Sequence, residues 1–247
     1  MIGPIVNSSS TLIGGIVGGL LGNRLSEKFR TQLPLTFGAA SMGMGIFMVT
    51  KMHTLPAVIA SLLLGAIIGE IFSIEKNINR AAAKTRGFID KLAPPRREGA
   101  AVSHEEFLDK FVGILVLFVA SGTGIFGSMN EGITGDPSIL FAKSFLDLIT
   151  AGIFATALGL SVATIAIPQI IVQVILLLLG QSIMSMTTPV MVADFSALGG
   201  IIMFVTGFRI CGIKSFPIAN LLPGLFIVMP ISHFWVTTLM PWVMSLS

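Results

Sequence analysis

The residues best placed to do chemistry are Lys143 and Asp147, which lie four positions apart in the otherwise apolar stretch 137–159. That spacing puts both side chains on one face of a helix. Asp136 and Pro137 form a helix-start signal, so Asp147 lies roughly 15 Å into the helix, near the middle of a ~30 Å hydrocarbon core. A carboxylate at that depth costs about 2.5 kcal/mol or more unless it is paired or wetted. The pair therefore indicates either a structural ion pair or a carboxylate that exchanges a proton or cation, with Lys143 competing for it.

Four neutral residues complete the candidate site. Each carries an amide or hydroxyl group within or beside an apolar stretch: Asn7, Ser8, Gln173 and Asn220. Asn7 and Ser8 begin a polar run that is either a helix start at the membrane interface or a site lined by hydroxyl and amide groups, with free backbone N–H groups facing an anion or water. Gln173 follows Pro168, which frees a backbone carbonyl, although a lone glutamine in lipid often only bonds a neighbouring helix. We expect the four to act with the ion pair as ligands for a substrate or ion.

The composition excludes a soluble protein and several kinds of chemistry. The chain of 247 residues is 53% hydrophobic and 11% charged, against about 25% charged residues in soluble domains. Its single cysteine, Cys211, and three widely spaced histidines predict no disulfide, metal site or cofactor. The sequence has neither a His-Glu-x-x-His nor a Gly-x-Ser-x-Gly motif. We therefore expect an integral membrane protein that is not an enzyme and does not bind nucleic acid.

Apolar runs of about twenty residues predict an all-α, polytopic transmembrane helix bundle forming a single membrane domain, 1–247. About eight spans are expected, or seven if 137–185 contains a re-entrant pair. Their ranges are 4–22, 34–51, 55–74, 107–127, 137–159, 164–185, 194–212 and 216–238. The glycine-rich stretch 121–128 is expected to loosen the end of the fourth span, and Asp194 to cap the seventh.

The basic residues predict the orientation of these spans. With eight spans and both termini outside, thirteen of the 15 Lys and Arg residues lie in or beside the loops that face the cytoplasm. This bias is typical of cytoplasmic loops, and it leaves Lys143 as the one basic residue inside the membrane. The long polar segment 75–106 is expected to be a cytoplasmic connector that begins with an amphipathic helix at the interface.

Two parts of the chain resemble each other. At a spacing of 158 or, after one insertion, 159, seven residues recur: Gly22, Phe37, Ala39, Ala60, Leu62, Leu63 and Gly65 match Gly180, Phe195, Ala197, Ala219, Leu221, Leu222 and Gly224. The match predicts a three-helix repeat, 1–74 and 164–238, within a second half that extends over 160–247. Because the units are five spans apart, they would run in opposite directions, as in many transporters. Residues 107–159 would be helices inserted between them.

The stretch from Gly127 to Asp136, with Lys143, Asp147, the Gly69-Glu70 pair and the late Leu221-Leu222-Pro223, carries a family resemblance. The chain resembles the YdfK/YqgA family of bacterial membrane proteins, whose function is not established and which are sometimes described as transporters. Asn7 follows Ile-Val where the family pattern has Gly-Thr. The resemblance implies a bacterial inner-membrane location and supplies no substrate.

These observations predict a secondary transporter or exporter of a small solute, with protons or Na⁺ as candidate coupling ions and Asp147 as its midplane carboxylate. One alternative is a passive channel, oligomeric through the glycine-rich first helix. Another is a structural or regulatory protein that presents the loop 75–110 to a cytoplasmic partner. The expected partners are the lipid bilayer and a small solute or ion.

Overall fold

The computed structural model describes residues 1–21, 27–84 and 104–245. Every regular element within those ranges is helical. In chain order the elements are α1 (Ile2–Leu21), α2 (Glu27–Val49), α3 (Leu55–Ile71), α4 (Ile74–Lys84), α5 (His104–Val119), α6 (Gly122–Thr134), α7 (Ser138–Leu158), the 3-10 helix η1 (Gly159–Ile165), α8 (Ala166–Met184), α9 (Pro189–Ile210), α10 (Ile218–Leu221), α11 (Pro223–Phe234), a π-helical turn (Trp235–Leu239) and α12 (Met240–Met244).

The helices form two compact units. Unit 1 contains residues 1–34 and 76–179, and unit 2 contains residues 35–75 and 180–247. Each half of the predicted repeat therefore contributes to both units.

In unit 1, α1 packs against α7 through its glycines. A Cβ on Gly14 would lie 2.0 Å from the carbonyl oxygen of Leu148, and one on Gly18 would lie 2.0 Å from that of Gly152. Only a bare backbone permits this approach. Because the contacts on both helices move forward together, from 14 to 18 and from 148 to 152, α1 and α7 are parallel. The glycine face is thus used inside the unit, and a contact between copies through α1 stays a prediction.

The chain reverses direction after α7. Gly159 has φ 75° and ψ −163°, a conformation open essentially to glycine. Beyond it, a Cβ on Gly19 would meet the backbone of Leu160, and a Cβ on Gly15 would lie 2.6 Å from the Cα of Ala163. These contacts run backwards along α1, so η1 and the following α8 are antiparallel to both α1 and α7. The predicted fifth and sixth spans therefore form a helical hairpin.

The glycine-rich stretch 121–128 is helical, contrary to expectation. The Ser121 side chain caps α6 by accepting from the N–H of Gly124, and Gly135, with φ 76°, ends the helix. All of α6 from Gly122 to Ile133 is buried except Ile125. Tertiary packing outweighs the entropy cost of its glycines. The predicted fourth span, 107–127, is consequently two helices joined near Ser121.

In unit 2, α2 packs on α9 and α3 packs on α11, again through small residues. A Cβ on Gly45 would lie 2.6 Å from the carbonyl oxygen of Gly200, and one on Gly65 would lie 2.4 Å from the amide nitrogen of Gly224. The predicted cap of the seventh span is wrong, because Thr188 caps α9 with Pro189 at its first turn. The helix begins at Pro189, so Asp194, the predicted cap, lies in its second turn.

Five helical stretches of the described chain are long and apolar enough to cross a membrane, or six if the bent pair α3–α4 counts as one span. The predicted eight spans are not confirmed by this count. One of the five is the whole of Ser138–Met184, 47 residues, which contains the hairpin. The apolar part of α2, Leu35–Val49, is shorter than the others. The amphipathic start of the connector is present as α4, and residues 85–103 lie outside the described ranges.

Candidate functional site

The site in unit 1 is centred on one oxygen of Asp147, a residue of α7 that is 7% exposed. Asp147 Oδ2 accepts hydrogen bonds from the ammonium of Lys143, one helical turn before it. It also accepts from Asn7 Nδ2 of α1 and from Gln169 Nε2 of α8, each at 2.8 Å. Three helices therefore place donors around one carboxylate oxygen. Hydrogen bonds of this charge-assisted type are about twice as strong as those between neutral groups.

This carboxylate fixes the orientation of the surrounding amides. An ionised carboxylate can only accept, so Asn7 and Gln169 must direct their NH₂ groups towards Asp147. The carbonyl oxygen of Asn7 then faces α8, where it accepts from Gln169 Nε2 at 2.9 Å and from Gln173 Nε2 at 2.6 Å. The N and O positions of all three amides follow from the network rather than from an arbitrary choice.

The same network leaves buried acceptors without partners. Among the described residues, Gln169 Oε1, Gln173 Oε1 and Ser8 Oγ make no hydrogen bond. These residues are 0%, 2% and 4% exposed, respectively. An unsatisfied buried polar atom costs about 1–3 kcal/mol, so three of them in one region call for a specific explanation.

Ser8 lies on the side of α1 that faces η1 and α8. It precedes Gly15 by seven residues, which is close to two helical turns, and Gly15 packs against Ala163 of η1. The hydroxyl of Ser8 and the two glutamine oxygens therefore belong to the same α1–α8 side of unit 1.

Two further helices of unit 1 border the lysine. The ammonium of Lys143 lies 5.6 Å from the ring centroid of Phe118 on α5, within the range of a cation–π contact. Gly124 of α6 leaves room for the lysine, because a Cβ there would lie 3.0 Å from Lys143 Cε and 3.6 Å from Gln173 Nε2. The buried charge is thus held by an aromatic face as well as by its carboxylate.

Four of the six predicted site residues, Lys143, Asp147, Asn7 and Gln173, meet in one hydrogen-bonded network of unit 1. Ser8 lies next to Asn7 on α1 without a hydrogen bond to that network, and Asn220 lies elsewhere. Asn220 belongs to α10 in unit 2. Its Nδ2 donates to Glu70 Oε2 at 2.7 Å, and its Oδ1 accepts from the N–H of Glu75 at 2.8 Å. Glu75 in turn accepts from Arg209 and from the N–H of Ala219. Asn220 therefore links α10 to the end of α3 and satisfies the free N–H of Glu75 in the first turn of α4.

Gln169 is the site residue that the sequence reasoning passed over. It lies four positions before Gln173, and that spacing on an apolar helix places both amides on one face. The spacing was the signal that could have identified it.

Two other buried carboxylates have structural roles. Glu131 of α6 accepts from the N–H of Gly3 through both oxygens, at 3.2 and 3.1 Å, at the start of α1. Asp194 of α9 accepts from the N–H groups of His53 and Thr54, just before α3, at 2.9 and 2.7 Å, and from the Ser232 hydroxyl. Both carboxylates satisfy the free N–H groups of a helix start.

Apolar helices of membrane-spanning length around a buried ion pair and its amides define a multi-pass helical membrane protein. The chain matches the family described as "Protein of unknown function (DUF554)" over residues 2–233, and it belongs to that family. It is 51% identical over 235 residues to "Uncharacterized protein YqgA" of Escherichia coli (strain K12), covering 95% of this chain and 97% of that protein. It is 26% identical over 233 residues to "Uncharacterized membrane protein YdfK" of Bacillus subtilis (strain 168), with coverage of 92% and 93%. The resemblance to the YdfK/YqgA family is thereby confirmed. No solved structure matches the chain.

Proposed function

We propose that this protein is a secondary transporter or exporter of a small solute, coupled to protons or Na⁺, and that Asp147 is its central carboxylate. One observation carries the proposal. The buried acceptors Ser8 Oγ, Gln169 Oε1 and Gln173 Oε1 lack partners in a network whose other amide groups are all used. A purely structural ion pair gains nothing from such atoms, whereas a binding site needs them.

The packing of the helices supports an inverted repeat. Each helix in the first half of the predicted repeat, 1–74, lies antiparallel to its counterpart in the second half, 164–238. The pairs are α1 with η1–α8, α2 with α9, and α3 with α11. For α2 and α9, Gly38 approaches Gly207 and Gly45 approaches Gly200, so the contacts run in opposite directions. Such pairing is expected when equivalent helices meet across a pseudo-twofold axis.

The contact between Gly65 and Gly224 strengthens this interpretation. These two residues are equivalent in the sequence repeat, since 224 − 65 = 159, and a Cβ on Gly65 would lie 2.4 Å from Gly224 N. Equivalent residues contact each other where a twofold axis passes between two helices. We therefore propose eight spans in an inner membrane, with both termini outside, as the charge bias predicts.

The function is tested with Asp147→Asn in proteoliposomes that contain a pH-sensitive dye. Wild-type and variant proteins are exposed to gradients of NaCl, KCl and a panel of amino acids and small organic cations. We expect wild-type protein to give solute-dependent proton or solute flux, and Asp147→Asn to reduce it to the level of empty liposomes, because the carboxylate is lost while all three amides remain. Gln181→Leu, at an exposed position of α8, is the matched control.

Two results would contradict the proposal. Equal flux in wild type and Asp147→Asn removes the carboxylate from the mechanism. Steady single-channel conductance without a coupling gradient indicates a passive channel instead.

A further inference from the structure

We propose that the transported solute is a small zwitterionic α-amino acid, bound with its ammonium group at Gln169 and Gln173 and its carboxylate at Lys143. The inference rests on the proposed function, since it names the class of solute that the site takes. Three features of the described residues carry it: the chemistry of the unused buried atoms, the charge of the ion pair, and the separation of the two ends of the site.

The unused buried atoms of the amide network are hydrogen-bond acceptors. Gln169 and Gln173 both donate their NH₂ groups to Asn7 Oδ1, and Gln169 donates to Asp147 as well. Among the described residues their carbonyl oxygens have no partner, and neither has the hydroxyl of Ser8 on the α1–α8 side. Two free carboxamide oxygens call for a solute that donates N–H groups, and a primary ammonium carries three of them.

The charge of the site favours a solute with no net charge. The Asp147 carboxylate and the Lys143 ammonium already neutralise each other. In a low-dielectric interior, an added charge without a counter-charge is costly. A simple organic cation would satisfy the free oxygens but leave the buried site positive, whereas a zwitterion brings its own carboxylate with its ammonium.

Lys143 offers the donors that this carboxylate needs. Its ammonium has three N–H groups, and within the described ranges it makes one hydrogen bond, to Asp147 Oδ2. The ring of Phe118 faces the ammonium at 5.6 Å, and an aromatic face is a weaker partner than a carboxylate. A solute carboxylate would accept from a remaining N–H while the lysine keeps its bond to Asp147.

The two ends of the site are close enough for one α-amino acid. Lys143 Nζ and Gln169 Nε2 donate to the same oxygen, Asp147 Oδ2, the second of them at 2.8 Å. The N and O atoms of one amide are about 2.3 Å apart, so Lys143 Nζ lies within about 8 Å of Gln169 Oε1. An α-amino acid with one hydrogen bond at each end spans up to about 9 Å. It therefore reaches both groups at once.

The helices around the site leave little room for a side chain on the solute. A Cβ on Gly124 of α6 would lie 3.0 Å from Lys143 Cε and 3.6 Å from Gln173 Nε2. The backbone of α6 is therefore close to both ends of the site. We expect small amino acids to bind best, with free glycine as the reference solute.

The test measures the binding of radiolabelled free glycine to purified full-length protein by scintillation proximity. Three analogues compete for the site: trimethylglycine, which has both charges but no N–H donor, methylamine, which lacks the carboxylate, and acetate, which lacks the ammonium. A charge-assisted hydrogen bond is worth roughly tenfold to a hundredfold in affinity. Each analogue should therefore compete at least about tenfold more weakly than free glycine.

Gln173→Leu separates hydrogen bonding from distortion of the site. It removes one acceptor of the ammonium at a similar volume, so free glycine should bind about tenfold more weakly. The affinity for trimethylglycine should not change, because that compound donates no N–H bond, whereas a distorted site would bind both compounds less well. Gln181→Leu, at an exposed position of α8, should behave as wild type, and circular dichroism with size-exclusion chromatography checks folding.

The neutral double variant Lys143→Met/Asp147→Asn tests the carboxylate end without leaving an unpaired buried charge. It keeps both glutamine acceptors and removes the lysine donors. Methylamine should therefore compete as it does in wild type, and free glycine should lose its advantage over methylamine.

Two binding results would overturn the inference. One is equal affinity of wild type for free glycine and methylamine, and the other is a parallel loss of free glycine and trimethylglycine binding in Gln173→Leu. The absence of any binding of free glycine would overturn it as well, and would mean that water alone satisfies the free oxygens. If Asp147-dependent flux of another solute persists in that case, the proposed function stands and only the solute class is wrong.

Discussion

The hydrogen bond that Gln173 Nε2 donates to Asn7 Oδ1 allows a quantitative test of the site by a double-mutant cycle. Asn7→Ala removes a charge-assisted bond to Asp147, a loss of about 1.5–3 kcal/mol. It also removes the acceptor of Gln173 Nε2, and an orphaned buried donor costs about 1–3 kcal/mol. The single variant should therefore lose about 3–5 kcal/mol of unfolding free energy.

The second variant removes the orphaned group. Gln173→Leu fills a similar volume, eliminates the donor and also removes the unpartnered Oε1, so its own cost should be about 1 kcal/mol or less. The double variant should be about 1–2 kcal/mol more stable than the sum of the two single effects. That value lies at the upper end for membrane proteins, where such couplings average about 0.6 and reach about 1.7 kcal/mol.

The assay is reversible unfolding in bicelles by SDS titration, followed by circular dichroism, for wild type, both single variants and the double variant. Asn7→Ala with Gln181→Leu is the control cycle, because Gln181 lies on the same helix at an exposed position. The control should be additive within about 0.5 kcal/mol. If the effects of Asn7→Ala and Gln173→Leu on the free energy of unfolding are also additive, the amide orientations deduced from Asp147 are wrong.

Two predictions concern the packing that supports the site. Gly18→Ala should lower the free energy of unfolding by about 1–3 kcal/mol, since its Cβ would lie 2.0 Å from the backbone oxygen of Gly152. Gly43→Ala, with nothing within 4 Å of the new Cβ, should be neutral or stabilising by up to about 1 kcal/mol; equal thermal shifts in the two variants would contradict the close α1–α7 contact. Asp194→Ala should cost about 2–4 kcal/mol because it leaves the N–H groups of His53 and Thr54 unsatisfied. Asp194→Asn retains an acceptor and should recover more than half of that loss in the same unfolding assay, whereas a loss as large as that of alanine would indicate a role for the charge itself.

The sequence predicted the centre of the site because local spacing is enough to pair Lys143 with Asp147. Asn7, Ser8 and Gln173 were also predicted, since polar groups in lipid-length apolar helices need a partner. Tertiary packing, and not local sequence, decides whether these polar groups share one partner. Asn220 shows this limit, because its sequence context is like that of Gln173, yet it joins α10 to Glu70 and Glu75 in the other unit.

The predicted helix boundaries were wrong where tertiary packing decides them. Glycines at 122–127 argue against a helix in isolation, but α6 is enclosed by other helices and capped by Ser121. The role of Asp194 was assigned to its own helix, although its carboxylate serves α3, far away in sequence. No periodicity or cap pattern within one segment contains this information.

The winding of the 3-10 helix η1 sets the rotation of α8 about its own axis. A 3-10 helix advances 120° and about 2.0 Å per residue, against 100° and about 1.5 Å in an α-helix. Conversion of the seven residues of η1 (Gly159–Ile165) to α-helix would therefore rotate α8 by about 140° and draw it in by about 3.5 Å. Gln169 and Gln173 would move off Asn7 together, and the opposite side of α8 would face α1. The 3-10 winding of η1 is therefore required for Gln169 and Gln173 to face Asn7 and Asp147.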